Sequence, residues 1–131
     1  MPYNRLVRMK MANGKADETH QSHFCALEYR PQAWSVSTSG KAEVVLLVLR
    51  SEDESLQFFI HPEWRTIVQE EDLAYIEALL RDFLARAKQH PAALFKQISS
   101  LGVGPLVTQL VGSDISEYPS IQELSSIFVQ V

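Results

Sequence analysis

The chain has 131 residues, 46% apolar and 21% charged, with a net charge of −4 and a single cysteine, Cys25. That length suits one domain with its own core, and one cysteine excludes an internal disulfide framework and fits a reducing compartment. No run approaches the roughly 20 apolar residues of a membrane span, and the start, MPYNRLVRMKMANG, lacks the apolar stretch of a signal peptide, so the expectation is a cytoplasmic protein without a membrane partner.

The charge is unevenly spread. Residues 1–16 carry Arg5, Arg8, Lys10 and Lys15 and no acid, so all 16 acidic residues lie beyond them. A basic arm can reach an acidic partner, but four charges neutralise at most about four phosphates and give weak, salt-sensitive binding. The arm therefore argues against a nucleic-acid binder and reads as a solvated face. Residues 1–21 are expected to form a basic edge strand or arm followed by a loop. Val7, Met9 and Met11 alternate with Arg8 and Lys10 at the period of a half-buried strand, and Asn13-Gly14 is a tight-turn dipeptide. Met9 and Met11 are also competent translation starts.

Residues 22–29, SHFCALEY, read as a strand that Pro31 ends. Residues 33–38 alternate around Trp34 and Val36 as a strand with one wet face. Ser39-Gly40 turns the chain into residues 42–50, where Val44, Leu46 and Val48 fill one face and Val45, Leu47 and Leu49 the other. A strand apolar on both faces is central and covered twice. After an acidic loop, residues 55–61 pair back as a hairpin, with Leu56, Phe58 and Ile60 on one face and Phe59 on the other.

The connector PEWRTIVQ has room for a single helical turn. Residues 70–88 then form the clearest helix. Glu70, Glu71 and Asp72 open it and Arg86 and Lys88 close it, the order that suits the helix dipole. Leu73, Ile76, Leu80, Phe83, Leu84 and Ala87 recur at three and four spacing as its core stripe, and Tyr75 and Leu79 widen it. Pro91 opens a second helix that buries Leu94, Phe95, Ile98 and Leu101, and Gly102 closes it. The run VGPLVTQLVG matches helical spacing at Val103, Leu106, Val107, Leu110 and Val111; a short helix is expected, with a strand as the alternative because of its β-branched content. Pro119 opens a further helix, and residues 127–131 can return to the sheet as a strand. Strands followed by helices give an α+β fold: an antiparallel sheet of four to five strands, centred on the N-terminal half, against helices from the C-terminal half. No linker or repeat divides residues 1–131, which read as one domain.

The chemistry search finds no P-loop, no paired cysteines and no His-Glu-x-x-His; Gly102-Val103-Gly104 is only a fragment of a dinucleotide motif. His20, His23 and Cys25 supply too few convergent ligands for zinc, which needs three or more. Cys25 with His61 would make a nucleophile and base only if the fold joined them. No cofactor, no metal and no catalytic residue is therefore expected. The richest patch is His61, Glu63, Trp64 and Arg65 beside Pro62, since Trp and Arg dominate binding hot spots. It is a candidate partner or ligand contact, against the plainer reading that Trp64 plugs the core.

A second candidate is the outer face of the sheet, with Val45, Leu47, Leu49 and Phe59, which would drive self-association if the chain leaves it open. The competing cover is the C-terminal helices with residues 127–131. The expected function is a non-catalytic protein–protein interaction or regulatory module, self-associating as a homodimer or binding a protein partner. The alternatives are a small-ligand module with an apolar site lined by Phe58, Phe59 and Phe83, or an enzyme of unassigned chemistry.

Overall fold

The computed structural model describes residues 23–31 and 43–131. The expected strands at 5–11 and 33–38, the basic arm, the Asn13-Gly14 turn and His20 lie outside the described residues. The elements are β1 (His23–Tyr29), β2 (Glu43–Arg50), β3 (Leu56–Ile60), α1 (Trp64–Ile67), α2 (Glu70–Ala87), α3 (Pro91–Ile98), β4 (Leu106–Gly112), a 3-10 turn (Ile115–Glu117), α4 (Pro119–Ile127) and β5 (Val129–Gln130). The strands form one antiparallel sheet in the order β4-β1-β2-β3-β5. The fold is α+β, as the run of strands followed by helices implies.

Each sheet face has its own cover. Cys25, Leu27, Tyr29, Leu46, Val48, Phe58 and Ile60 pack against Ile76, Leu80 and Phe83 of α2 and Leu94, Phe95 and Ile98 of α3. On the opposite face Phe24, Ala26 and Leu47 pack against Ile121 and Phe128, with Leu49, Phe59, Leu110, Tyr118 and Leu124 around them. The C-terminal segment is thus the second layer. Fully burying one aliphatic or aromatic side chain of this kind is worth roughly 1.5–3 kcal/mol, so covering both faces in one chain removes the main cost of a two-sided central strand.

Two bulges set the details. Between β1 and β2 the register passes from Leu27↔Leu46 to Glu28↔Val44 and skips Val45. Strict alternation would put Val45 with Leu47; the extra residue turns it to the other face, where it joins the α2–α3 core. Between β1 and β4 the register passes from Ala26↔Leu110 to Leu27↔Thr108 and skips Gln109. This second bulge explains a correction: residues 106–112 are a strand, not the expected short helix. A bulged strand loses its strict period of two, and the remaining apolar positions mimic three and four spacing.

Polar groups tie the layers. Tyr29, 1% exposed, donates its hydroxyl to Asp72 Oδ2 at 2.5 Å and accepts the Gln69 backbone N–H at 3.1 Å. Gln69, the N-cap of α2, makes no side-chain capping bond, and the tyrosine from β1 satisfies the Gln69 N–H at the start of the helix. Desolvation, then the bond to Asp72, pushes the phenol up to about 12. Cys25 Sγ lies 3.2 Å from Ser99 Oγ, and Ser99 donates in turn to the Phe95 carbonyl at 2.8 Å. In the β2–β3 loop, Asp53 accepts from both Ser51 and Ser55 hydroxyls and from the Ser55 N–H, which holds its carboxyl at about 2 and braces Glu54 at φ 70°.

Candidate partner-contact corner

Pro62 cannot continue β3 as a paired strand, so the chain turns at His61 and enters α1. The His61 N–H still reaches the Val45 carbonyl at 2.9 Å, and the Trp64 N–H returns to the His61 carbonyl at 3.1 Å. The imidazole organises this turn. Its Nδ1 accepts the Glu63 N–H at 3.0 Å, which leaves the ring proton of the neutral form on Nε2. Nε2 faces Glu43 Oε2 at 3.5 Å. The ring also lies 5.3 Å from that of Phe128, so the corner rests on the segment that enters β5.

Trp64 is half-buried and packs against the α2–α3 core, which is the plug expected of it. Its other side is covered by Arg65, whose guanidinium carbon sits 4.6 Å from the indole centroid, a cation–π arrangement. Arg65 Nη2 also donates to Glu77 Oε2 at 2.9 Å, and that hydrogen bond together with the guanidinium charge lowers the Glu77 carboxyl. Both side chains are exposed, so the pair orients Arg65 more than it stabilises the fold.

The corner adjoins the C-terminal strand. Val129 is paired with Ile60, and the Val131 N–H reaches the Phe58 carbonyl at 2.9 Å. Ile127, Val129 and Val131 are each about half exposed, at 54%, 49% and 52%. Sequence periodicity marks this segment as a strand but does not distinguish an exposed edge from a covered one. Glu43, Glu77 and Phe128 also belong to the corner, and their distance along the chain hides them from local patterns.

The other candidates fall out differently. Val45, Leu47, Leu49 and Phe59 do not share an open face. Val45 is turned to the helix side by the bulge, Leu47 is wholly buried under α4, and Leu49 and Phe59 pack at the edge of that layer. The physical reason is the C-terminal cover, whose apolar face claims the area. Phe58 and Phe83 stack on each other at 6.3 Å, while Phe59 lies on the opposite face, so the three do not line one cavity. Cys25 is buried and bonded to Ser99, and desolvation raises its thiol; His61 is committed to Glu43, Glu63 and Phe128. Among the described residues no three His, Cys, Asp or Glu side chains gather as a metal site, and no helix is long and apolar enough to cross a membrane. Comparison with protein-family models, with curated proteins and with solved structures finds no match to this chain.

Proposed function

We propose that the chain is a non-catalytic protein–protein interaction or regulatory module that self-associates, and that its contact surface is the corner formed by His61, Glu63, Trp64 and Arg65 with the C-terminal segment. One observation carries the reading: the turn that bears the prearranged Trp64–Arg65 pair rests, through the His61 ring, on Phe128 of the segment whose Ile127, Val129 and Val131 are half exposed. Aromatic and guanidinium anchors beside exposed apolar side chains are what association surfaces are made of. The orienting bonds matter because they reduce the ordering cost of binding. The sheet face named from sequence is already occupied by α4 and gives way to this corner as the contact.

Sedimentation equilibrium of the full chain from micromolar to millimolar concentration tests the proposal. A reversible dimer weakened by Arg65→Ala is expected. Arg65 is exposed, so its loss should leave thermal stability within about 0.5 kcal/mol. A monomer at every concentration, or a dimer indifferent to Arg65→Ala, would remove the corner from the account.

A further inference from the structure

The two edges of the sheet are managed differently. The outer side of β4 is occupied by its own chain: the Thr108 N–H donates to the Leu101 carbonyl at 2.7 Å and the Thr108 hydroxyl to the Ile98 carbonyl. The Gln109 bulge further breaks up that edge. Such devices prevent strand addition. Among the described residues the opposite edge, β5, carries no bulge and no covering segment, and its one protection is its length of two residues. Residues 125–131, SSIFVQV, contain no charge, no proline and no glycine, and no strand pairs with the outer side of β5 among the described residues.

The register states which groups that edge offers. Phe59 is paired with Gln130, and the bond between these strands runs from the Val131 N–H to the Phe58 carbonyl. In an antiparallel ladder that pattern makes Phe59 and Gln130 a non-hydrogen-bonded pair, so the N–H and C=O of Gln130 point away from β3. Gln130 therefore presents one donor and one acceptor side by side. A strand passing antiparallel can exchange two bonds with them.

We propose that two copies of the chain pair their β5 strands antiparallel about a two-fold axis at Gln130, so that the two sheets become continuous. This deepens the module reading above and rests on it. A second copy is the occupant that the segment itself describes. Across a two-fold axis Gln130 meets Gln130 and exchanges both bonds, and Val129 of one copy lies opposite Val131 of the other. These are apolar cross-strand pairs. The side chains of this segment carry no charge and so add no like-charge repulsion of their own, although the chain as a whole carries a net charge of −4. The strand is short, so the contact is small and the dimer belongs at the weak end of the range.

Gln130→Pro in the full chain isolates the edge. Proline removes the outward N–H and leaves the Val131 N–H that bonds β3, and an edge residue whose N–H faces outward tolerates it. Losing the two symmetric bonds should raise the dimer dissociation constant by about tenfold or more in sedimentation equilibrium, while Gln130→Ala leaves it unchanged. In the wild type the Gln130 amide should exchange more slowly as concentration rises. If the proline variant loses the protection of the Val131 amide, the double change Val129→Lys with Val131→Lys replaces it. That pair sets like charges opposite one another across the axis and should abolish the dimer at low salt. A wild-type dimer untouched by these variants would overturn edge pairing and leave the module reading standing; a wild-type monomer would overturn both. Gln130 protection that is equally strong at the lowest concentration would show that the chain covers this edge itself, and would overturn the proposal.

Discussion

Tyr29→Phe removes one oxygen atom from the point where sheet and helix meet. The ring, 1% exposed, keeps its packing. What is lost is the bond to Asp72 at 2.5 Å and the bond from the Gln69 N–H at 3.1 Å. Asp72 is itself only 7% exposed, so water does not easily replace the hydroxyl. Hydrogen bonds to charged groups contribute about 1.5–3 kcal/mol, and stranding a buried acceptor costs a similar amount. A loss of about 2–3 kcal/mol is expected, which for a chain of this size lowers Tm by on the order of 10 °C. The pH dependence offers a check. In the fold the phenol lies at about 12 against an ordinary value of 10.0. A group raised in this way contributes stability that is whole below pH 10 and disappears as pH climbs through about 12. Chemical denaturation of both proteins at pH 7, 9, 10, 11 and 12 should therefore show a gap that is constant to about pH 10 and then closes. Equal stability at pH 7, or a gap that persists unchanged at pH 12, would refute the role given to this hydroxyl.

Three further outcomes follow from the packing. Gly112→Ala should cost about 1–3 kcal/mol by overpacking, because a Cβ there would run into the Phe24 ring and come within 2.9 Å of Tyr118; urea denaturation measures it. Leu47→Ala should cost about 2–5 kcal/mol without altering the association constant, since Leu47 is wholly buried beneath α4; a selective loss of association at unchanged stability would contradict its placement. The Cys25 thiol should resist an aromatic disulfide reagent at pH 8 until denaturant is added, because it is buried, bonded to Ser99 and raised by desolvation; rapid native-state labelling would show it to be accessible.

Periodicity made much of this fold legible. The stripe from Leu73 to Ala87 and the charge order from Glu70 to Arg86 fixed α2, because a helix on a core leaves a regular imprint. The doubly apolar run at residues 44–49 correctly announced a central strand with two covers. Two features resisted. Bulges at Val45 and Gln109 exchange faces without any glycine or proline to mark them, so alternation misplaced Val45 and disguised β4 as a helix. Which segment covers the second face is a tertiary choice between one chain and two, and the apolar content of Ile121, Leu124 and Phe128 suits either. At the corner, the bond from Glu63 to His61 and the Arg65–Trp64 contact are local and could be anticipated from adjacency. Glu43, Glu77 and Phe128 arrive through the sheet register and the turn of α2, which no short window encodes.

Amide hydrogen exchange read residue by residue across a concentration series tests the central claim most directly, because it separates cover within the chain from contact between chains. Leu46 to Leu49 should be protected equally at every concentration, while protection that grows with concentration should be confined to residues 61–65 and 127–131. Protection that grows with concentration at Leu46 to Leu49, with the corner and the C-terminal strand unaffected, would contradict it.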